Sequence, residues 1–360
     1  MYGNIPISCK SKKYIQKKSL YLRNNSTNEY FIKMTTKMEK KSRLRITLYV
    51  LIGILALIMV VLGFASRYML GFSLKSDPNR KDIDSTANIL ISRFPDMKPW
   101  LDSVKATGAL RDTFVVMPGG ERHHAYYMRT ANACGRTAVM VHGYKDAAVK
   151  FLYFMKMYNR DLGYNVLMPD LHGHGLSEGD NIQMGWKDAD DVLYWTSVAE
   201  EIFRCENQPS RMIVHGVSMG AATTMNLSGK DNVPEYIKGY IEDCGYTSVW
   251  DEFSMQLKEM FGLPAFPLMN CTSALCRMKY GWHFKEASPL ESISRCTRPM
   301  LMIHGDKDTF VPFSMFQPLV DAKPEPKMTW VAPGSEHARA YQDHPEEYTA
   351  LVASFLKTLE

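Results

Sequence analysis

An uninterrupted apolar run of twenty residues constrains this chain more than any other feature. Residues 46–65 read ITLYVLIGILALIMVVLGFA and contain no charged side chain. About twenty such residues are needed for a helix to cross a bilayer. Because the run is apolar all round, it does not suit a helix that packs one face on a soluble core. We therefore predict a transmembrane anchor over residues 46–65.

A cleaved signal peptide is the alternative interpretation of this run. Gly63-Phe64-Ala65 would serve as a small-residue cleavage site. The apolar run is, however, longer than the roughly 7–15 residues that are typical of a signal peptide. The sequence therefore favours an anchor that stays in the membrane.

The charges on the two sides of this run have opposite sign. Residues 1–45 hold 12 basic and 2 acidic residues, a net charge of +10, whereas the remaining 315 residues hold 31 basic and 36 acidic ones, a net charge of −5. The acidic body argues against a nucleic-acid partner, despite the overall charge of +5. The basic flank predicts a cytoplasmic N-terminus, a single pass and a body on the extracytoplasmic side.

The basic segment before the anchor, residues 1–45, shows no periodic apolar pattern. We predict either a cytoplasmic tail without regular structure or a mis-set translation start, with Met34 or Met38 as the true first residue. After the anchor, residues 66–111 are predicted to be a lead-in that is helical over about 76–105.

The body of the chain alternates short apolar runs with helical patterns. This alternation predicts an α/β fold with a mainly parallel sheet flanked by helices, over residues 112–360. A Pro118-Gly119-Gly120 turn predicts that the first two strands form a hairpin. The predicted strands are residues 112–117, 125–129, 137–141, 165–168, 211–214, 236–241, 300–303 and 328–331, and the main predicted helices are 147–162, 186–203 and 345–359.

The segment from about 249 to 285 departs from this alternation. It is rich in aromatic residues and Met, and prolines stand at 264 and 267. Ordinary core packing would explain such a composition, but a segment inserted between two strands is better placed to cover the carboxyl edge of the sheet. We predict a small helical cap.

The seven cysteines show no Cys-x-x-Cys spacing that would indicate a metal site, and no dinucleotide-binding fingerprint occurs. We therefore predict neither a metal nor a cofactor. Beyond Cys9, the six cysteines at 134, 205, 244, 271, 276 and 296 suit either disulfides of an exported domain or buried or semi-buried thiols, and the spacing does not predict a pairing.

The strongest chemical signal is Gly216-Val-Ser218-Met219-Gly220, which follows a predicted strand and precedes a predicted helix. Glycines at these positions permit a sharp turn that presents a serine hydroxyl above the sheet. Capping of the helix by Ser218 is the plainer alternative. The strand–turn–helix context favours Ser218 as a nucleophile.

A serine nucleophile needs a base, and the base needs an orienting acid. In proteins with this turn the acid and then the base follow the serine along the chain. Asp308 and His337 each come directly after a predicted strand and are our candidates. Asp306 and Asp243 are the alternative acids. The histidines His215, His304 and His142 are predicted to be structural and His344 to lie at the surface.

Two backbone N–H groups are predicted to bind the oxyanion that develops during acyl transfer. One belongs to Met219, the residue after the nucleophile, and the other to the loop after the strand at 137–141. Tyr144, in the sequence His142-Gly143-Tyr144, is the candidate in that loop.

From Asp112 to Leu359 these motifs together resemble the α/β-hydrolase superfamily. The resemblance implies catalytic roles for Ser218, Asp308 and His337 and structural roles for Asp170, His174 and Ser177, while His172 stands where the family often has Arg. Residues 243–253 and 261–268 look like a bacterial branch with an N-terminal anchor, whose members are similar to serine aminopeptidases or acyl esterases. The motifs are residues 142–144, 170–179, 216–221, 304–312 and 334–338.

The resulting hypothesis is a membrane-anchored serine hydrolase that cleaves esters, thioesters or amides of a small-molecule acyl substrate, with carboxylesterase-like activity favoured. The aromatic cap suggests an apolar acyl or aryl group, and the absence of a propeller or gating domain makes peptides a weaker expectation. A peptidase, an acyltransferase and a non-catalytic anchored binding protein are the alternatives. No obligate protein partner is predicted.

Overall fold

The computed structural model describes residues 9–130, 135–205 and 208–359, and the chain divides into two compact units, Met1–Phe64 and Ala65–Glu360. Helix α1 (Cys9–Leu74) contains the apolar run. Among the described residues it is the one helix that is long and apolar enough to cross a membrane. Whether it does so, and in which direction, stays a prediction.

Residues 9–45 are helical, whereas the sequence pattern predicts a tail without regular structure. The sequence offers a physical reason, because no Gly or Pro interrupts residues 7–52 and the segment is rich in lysine, a good helix former. Its described side chains are exposed. Residues 1–8 of the predicted tail lie outside the described residues.

The second unit is built on an eight-stranded sheet with the order β1-β2-β4-β3-β5-β6-β7-β8. β1 and β2 form an antiparallel hairpin, β2 pairs antiparallel with β4, and the other neighbours are parallel. The predicted mainly parallel sheet is therefore confirmed. The strands are β1 (Arg111–Val116), β2 (Arg122–Met128), β3 (Arg136–Val141), β4 (Asn165–Pro169), β5 (Arg211–Val217), β6 (Ile237–Asp243), β7 (Met300–Gly305) and β8 (Lys327–Ala332).

Helices cover both faces of the sheet, and each face has its own apolar core. Alternate residues of a strand point to opposite cores. In β3, Val139 and Val141 belong to one core, and Ala138 and Met140 belong to the other. Burial on both faces explains why inner strands such as β3, β4 and β7 are near-continuous apolar runs. The helices of this unit are α2 (Ile83–Arg93), α3 (Met97–Ala106), α4 (Leu152–Lys156), α5 (Asp188–Phe203), α6 (Met219–Ser228), α7 (Val249–Phe261), α8 (Leu268–Tyr280), α9 (Pro289–Ile293), α10 (Phe316–Ala322), α11 (Ala340–Asp343) and α12 (Pro345–Lys357).

Three local features differ from, or extend, the sequence predictions. The predicted helix 147–162 is broken into a 3-10 turn (Ala148–Phe151), α4 and a π-helical turn (Met157–Asp161). The predicted cap region contains α7 and α8, which stand between β6 and β7. The lead-in contains α2 and α3, and both pack into the core of the second unit.

The cysteines divide into two states within the described residues. Cys205 is disulfide-bonded, whereas Cys244, Cys271, Cys276 and Cys296 are free thiols. Cys134 lies outside the described residues. Both expectations from the sequence, disulfides and buried or semi-buried thiols, therefore apply to different cysteines.

Candidate active site

Ser218 stands at a sharp turn between β5 and α6, with φ 59° and ψ −119°. A non-glycine residue with positive φ is strained, and such strain concentrates at functional sites. The glycines on either side of this turn are required because there is no room for a side chain. A Cβ on Gly216 would lie 1.9 Å from the Gly220 carbonyl oxygen, and a Cβ on Gly220 would lie 2.1 Å from the Val141 carbonyl oxygen.

A chain of short hydrogen bonds joins the three predicted side chains. His337 Nε2 lies 2.8 Å from Ser218 Oγ, and His337 Nδ1 lies 2.7 Å from Asp308 Oδ2. The three residues are brought from separate strand ends, after β5, β7 and β8. In this arrangement His337 is able to accept the serine proton while Asp308 orients the imidazole ring.

Asp308 is held in place from both sides. Its Oδ1 accepts hydrogen bonds from the backbone N–H groups of Phe310 (3.0 Å) and Val311 (2.9 Å), and His304 Nε2 lies 3.4 Å from its Oδ2. Burial raises the pKa of Asp308, but hydrogen bonds from His304 and His337 outweigh burial, so the pKa lies below its ordinary value. The carboxylate is thus ionised at neutral pH, as an orienting acid must be.

The alternative acids are engaged elsewhere. Asp306 Oδ1 accepts a hydrogen bond from the Gly334 N–H at 2.7 Å. Asp243 Oδ2 accepts one from the Tyr348 hydroxyl at 3.0 Å, and burial raises the pKa of Asp243 to about 6. Neither carboxylate forms a hydrogen bond with His337 among the described residues. The geometry therefore favours Asp308 over both.

The histidines predicted to be structural make structural contacts. His215 is buried between the hydroxyls of Tyr158 and Tyr348, each 2.9 Å from a ring nitrogen. His142 Nε2 accepts the Leu171 N–H at 3.0 Å. His304 does more than predicted, because it contacts Asp308 and thereby positions the acid.

The two predicted oxyanion donors line the same cavity as Ser218. Met219 is the first residue of α6, so its N–H has no partner within the helix. The Tyr144 N–H donates to no acceptor among the described residues. The loop that carries Tyr144 lies close to the nucleophile, since a Cβ on Gly143 would lie 3.5 Å from Ser218 Cβ.

This loop is fixed by two contacts that the sequence did not predict. The Tyr144 hydroxyl donates to the Ser73 carbonyl oxygen at 2.7 Å, which ties the loop to the end of α1. His174 Nε2 accepts the Lys145 N–H at 3.2 Å. Lys145 has φ 52°, so the backbone next to the predicted donor is strained as it is at Ser218.

Ser218 opens into a cavity of about 260 Å³ whose walls are largely apolar. The end of α1 supplies one wall and the cap helices α7 and α8 supply another. The apolar lining includes Met69, Phe72, Met184, Phe253, Leu257, Met260, Phe261, Met269, Phe284 and Phe310. A cavity of this composition suits an acyl or aryl group better than a charged ligand.

One buried carboxyl group interrupts the apolar lining. Glu252 of α7 is only 3% exposed; its Oε1 accepts from Gln256 Nε2 at 3.1 Å, and its Oε2 has no hydrogen-bond partner among the described residues. Burial raises the pKa of Glu252 from 4.5 to about 8. At neutral pH the group is therefore mostly protonated and adds little negative charge to the cavity, whose lining also includes Lys145.

This pKa makes a testable contribution to stability. Between pH 4.5 and about 8 the folded chain keeps a proton on Glu252 that the unfolded chain has lost. The free energy of unfolding therefore falls as the pH rises through this window. We therefore expect the difference in Tm between Glu252→Gln and the wild type to increase, in favour of the variant, from pH 5 to pH 8. Glu259→Gln, an exposed position on the same helix, is the control, and a pH-independent advantage of Glu252→Gln would contradict the prediction.

Cys244 is a close neighbour of the site that the sequence did not single out. Its sulfur lies within 4.8 Å of ligand atoms of Asp308 and His337. Such a trio resembles a metal-binding set, but burial raises the pKa of Cys244 well above its ordinary value, which disfavours the thiolate that a metal or an electrophile requires. Asp308 and His337 are already joined to each other and to Ser218.

Comparisons with known proteins agree with this architecture. Residues 134–262 match the family model described as Hydrolase_4: Serine aminopeptidase, S33. The uncharacterized protein YqkD of Bacillus subtilis is 29% identical over 223 residues, which cover 62% of this chain and 72% of YqkD.

Solved structures show the same fold at low sequence identity. The Pyrococcus furiosus esterase Pf2001 is 21% identical, with a TM-score of 0.55 over 69% of this chain and 90% of the esterase. A puromycin-hydrolyzing peptidase of Mycobacterium tuberculosis is 18% identical, with a TM-score of 0.54 over 68% of this chain and 38% of the peptidase. The sheet, the turn at Ser218 and these solved structures together show the α/β-hydrolase fold. The membrane-anchored branch stays a prediction.

Proposed function

We propose that this protein is a serine hydrolase that cleaves carboxylic esters of an apolar acyl group. The observation that carries the proposal is the hydrogen-bonded chain from Asp308 through His337 to Ser218, which ends in an apolar cavity. A strained nucleophile, a base within 2.8 Å and a buried, ionised acid are the parts that acyl transfer needs.

In the proposed reaction, His337 takes the proton of Ser218 as its Oγ attacks the substrate carbonyl carbon. The oxyanion receives hydrogen bonds from the Met219 and Tyr144 N–H groups, and Asp308 stabilises the imidazolium. His337 then protonates the leaving alcohol, which leaves an acyl-enzyme on Ser218. Water, activated by the same histidine, hydrolyses the acyl-enzyme and restores the serine.

The cavity favours esters of hydrophobic acids. Its lining is mainly aromatic and Met side chains, and burial keeps Glu252 mostly neutral at pH 7. A peptide substrate would bring several backbone donors and acceptors that such walls do not satisfy. Thioesters and amides use the same acyl-enzyme, and an acyltransferase differs only in the nucleophile that resolves it.

The membrane prediction is part of the same proposal. We infer that residues 46–65 anchor the protein by a single pass with residues 1–45 on the cytoplasmic side, and that the catalytic domain lies on the extracytoplasmic side. The apolar, charge-free run and the asymmetry of basic residues around it support this orientation.

The chain-length preference tests the proposed substrate. Among p-nitrophenyl esters, we expect kcat/KM to rise at least about tenfold from acetyl to octanoyl, because each buried CH₂ contributes about 0.8 kcal/mol. Met260→Gln, at the cavity wall, should reduce this preference. Met278→Gln, on α8, 84% exposed and outside the lining, should not.

Two outcomes of this panel would change the proposal. Faster cleavage of peptide amides than of every ester would replace the esterase by a peptidase. If an added alcohol or amine captures most of the acyl group in place of water, the protein is an acyltransferase.

A further inference from the structure

A second cluster of potential ligands lies outside the lining of the active-site cavity. Glu121 precedes β2, His123 lies in β2 and His172 lies in the loop after β4. One ligand atom from each of the three residues lies within 4.8 Å of the others. Glu121 Oε2 is 2.7 Å from His172 Nδ1 and 3.5 Å from His123 Nε2.

The histidines of this cluster are buried without adequate partners. His123 is only 1% exposed, and neither of its ring nitrogens has a hydrogen-bond partner among the described residues. The same is true of His172 Nε2. Leaving a buried polar atom unsatisfied costs about 1–3 kcal/mol. An ion pair between Glu121 and His172 Nδ1 would explain those two atoms, but it leaves His172 Nε2 and both nitrogens of His123 without a partner.

We propose that Glu121, His123 and His172 form a zinc site. Four tetrahedral ligands at 2.0–2.1 Å from Zn²⁺ stand roughly 3.3 Å apart, and the observed separations of 2.7 and 3.5 Å bracket this value. Two imidazoles with one carboxylate suit zinc, whereas Mg²⁺ and Ca²⁺ prefer oxygen ligands only. Water completes the tetrahedron.

A neighbouring acid supports this assignment. The Asp191 Oδ2 lies 4.0 Å from His123 Nδ1, the nitrogen that faces away from Glu121. Metal-binding histidines usually direct their second nitrogen toward such a carboxylate, which fixes the ring orientation. His123 thus has an acid near each of its nitrogens, one to share the metal and one to orient the ring.

The zinc would be structural, because it links two segments that meet beside the active site. His172 belongs to the loop that holds His174, whose ring accepts the Lys145 N–H next to the proposed oxyanion donor. Glu121 and His123 belong to the β1–β2 hairpin. Zinc would therefore fasten this loop to the hairpin without taking part in the acyl transfer.

The test compares zinc binding and heat stability of the full-length protein in detergent. After chelator treatment and equilibration with Zn²⁺, the wild type should retain about one zinc per chain, and its Tm should rise by about 5 °C at a hundredfold excess over Kd. His123→Phe removes a ligand while it keeps the buried volume, and it should lose both responses. Labelling of Ser218 by a fluorophosphonate shows that the variant is folded.

Two further variants keep the test decisive. Glu121→Gln, at a partly exposed position, should weaken zinc binding at least about tenfold even if His123→Phe fails to fold. His283→Phe is the matched control, because His283 and Glu286 form a pair with the same 3.5 Å separation but belong to no cluster of three among the described residues. The proposal would be overturned if the wild type bound no zinc. It would also be overturned if His123→Phe still bound zinc at the other cluster, Cys244, Asp308 and His337.

Discussion

Replacement of Ser218 by alanine should lower the rate of ester hydrolysis by about 10⁴- to 10⁶-fold, because no acyl-enzyme forms without the Oγ nucleophile. The variant should also lose covalent labelling by a fluorophosphonate probe. The fold should be retained, because the Ser218 hydroxyl is hydrogen-bonded to His337 and makes no capping hydrogen bond to α6. Initial rates and in-gel labelling measure the two effects.

Ser228→Ala is the matched control for this variant. Ser228 lies at the other end of α6, is buried, and donates one hydrogen bond to the Met225 carbonyl oxygen at 2.8 Å. It should keep both labelling and activity. Undiminished labelling of Ser218→Ala would show that another residue is the nucleophile, and absence of labelling in the wild type would favour the anchored binding protein.

Replacement of Asp308 by asparagine should lower kcat by about 10⁴-fold. The amide cannot stabilise the imidazolium, and its NH₂ group can turn toward His337 Nδ1, which leaves the proton on Nε2, where it blocks deprotonation of Ser218. Two backbone N–H groups and His304 hold the native carboxylate in place. The loss should therefore come from the changed charge and tautomer, with KM altered much less than kcat.

The competing acids are built-in controls for this experiment. Asp306→Asn and Asp243→Asn remove charges nearby, but their carboxylates bind the Gly334 N–H and the Tyr348 hydroxyl. Each should keep kcat within about tenfold of the wild type. A loss at Asp243→Asn as large as that at Asp308→Asn would assign the acid to the end of β6.

Much of the sheet was predictable because its inner strands, β3 to β7, are buried on both faces. Each strand is a short apolar run bounded by a polar or glycine-rich loop, so the pattern marked all eight of them. The location of Ser218, Asp308 and His337 followed from the same logic. Residues directly after parallel strands meet at one edge of the sheet, whatever their separation along the chain.

The contacts that depend on packing across the chain were not predictable. No local pattern shows that His304 faces Asp308, that Cys244 approaches His337, or that Glu252 of the cap is buried in the cavity wall. His123 and His172 are 49 residues apart, far from any familiar metal-binding spacing. The apolar pattern of residues 147–162 likewise did not show that the helix is divided into a 3-10 turn, α4 and a π-helical turn.

The final turns of α1 set where a shortened form of this protein, without the apolar run, has to begin. Leu70 and Leu74 are buried, Met69 and Phe72 line the cavity, and Ser73 holds Tyr144. An expression boundary chosen at the first strand, or just after residue 74, would open one side of the pocket and free the loop of the proposed oxyanion donor. A boundary at Ala65, where the second unit starts, keeps all five residues, and so would proteolytic release after Phe64.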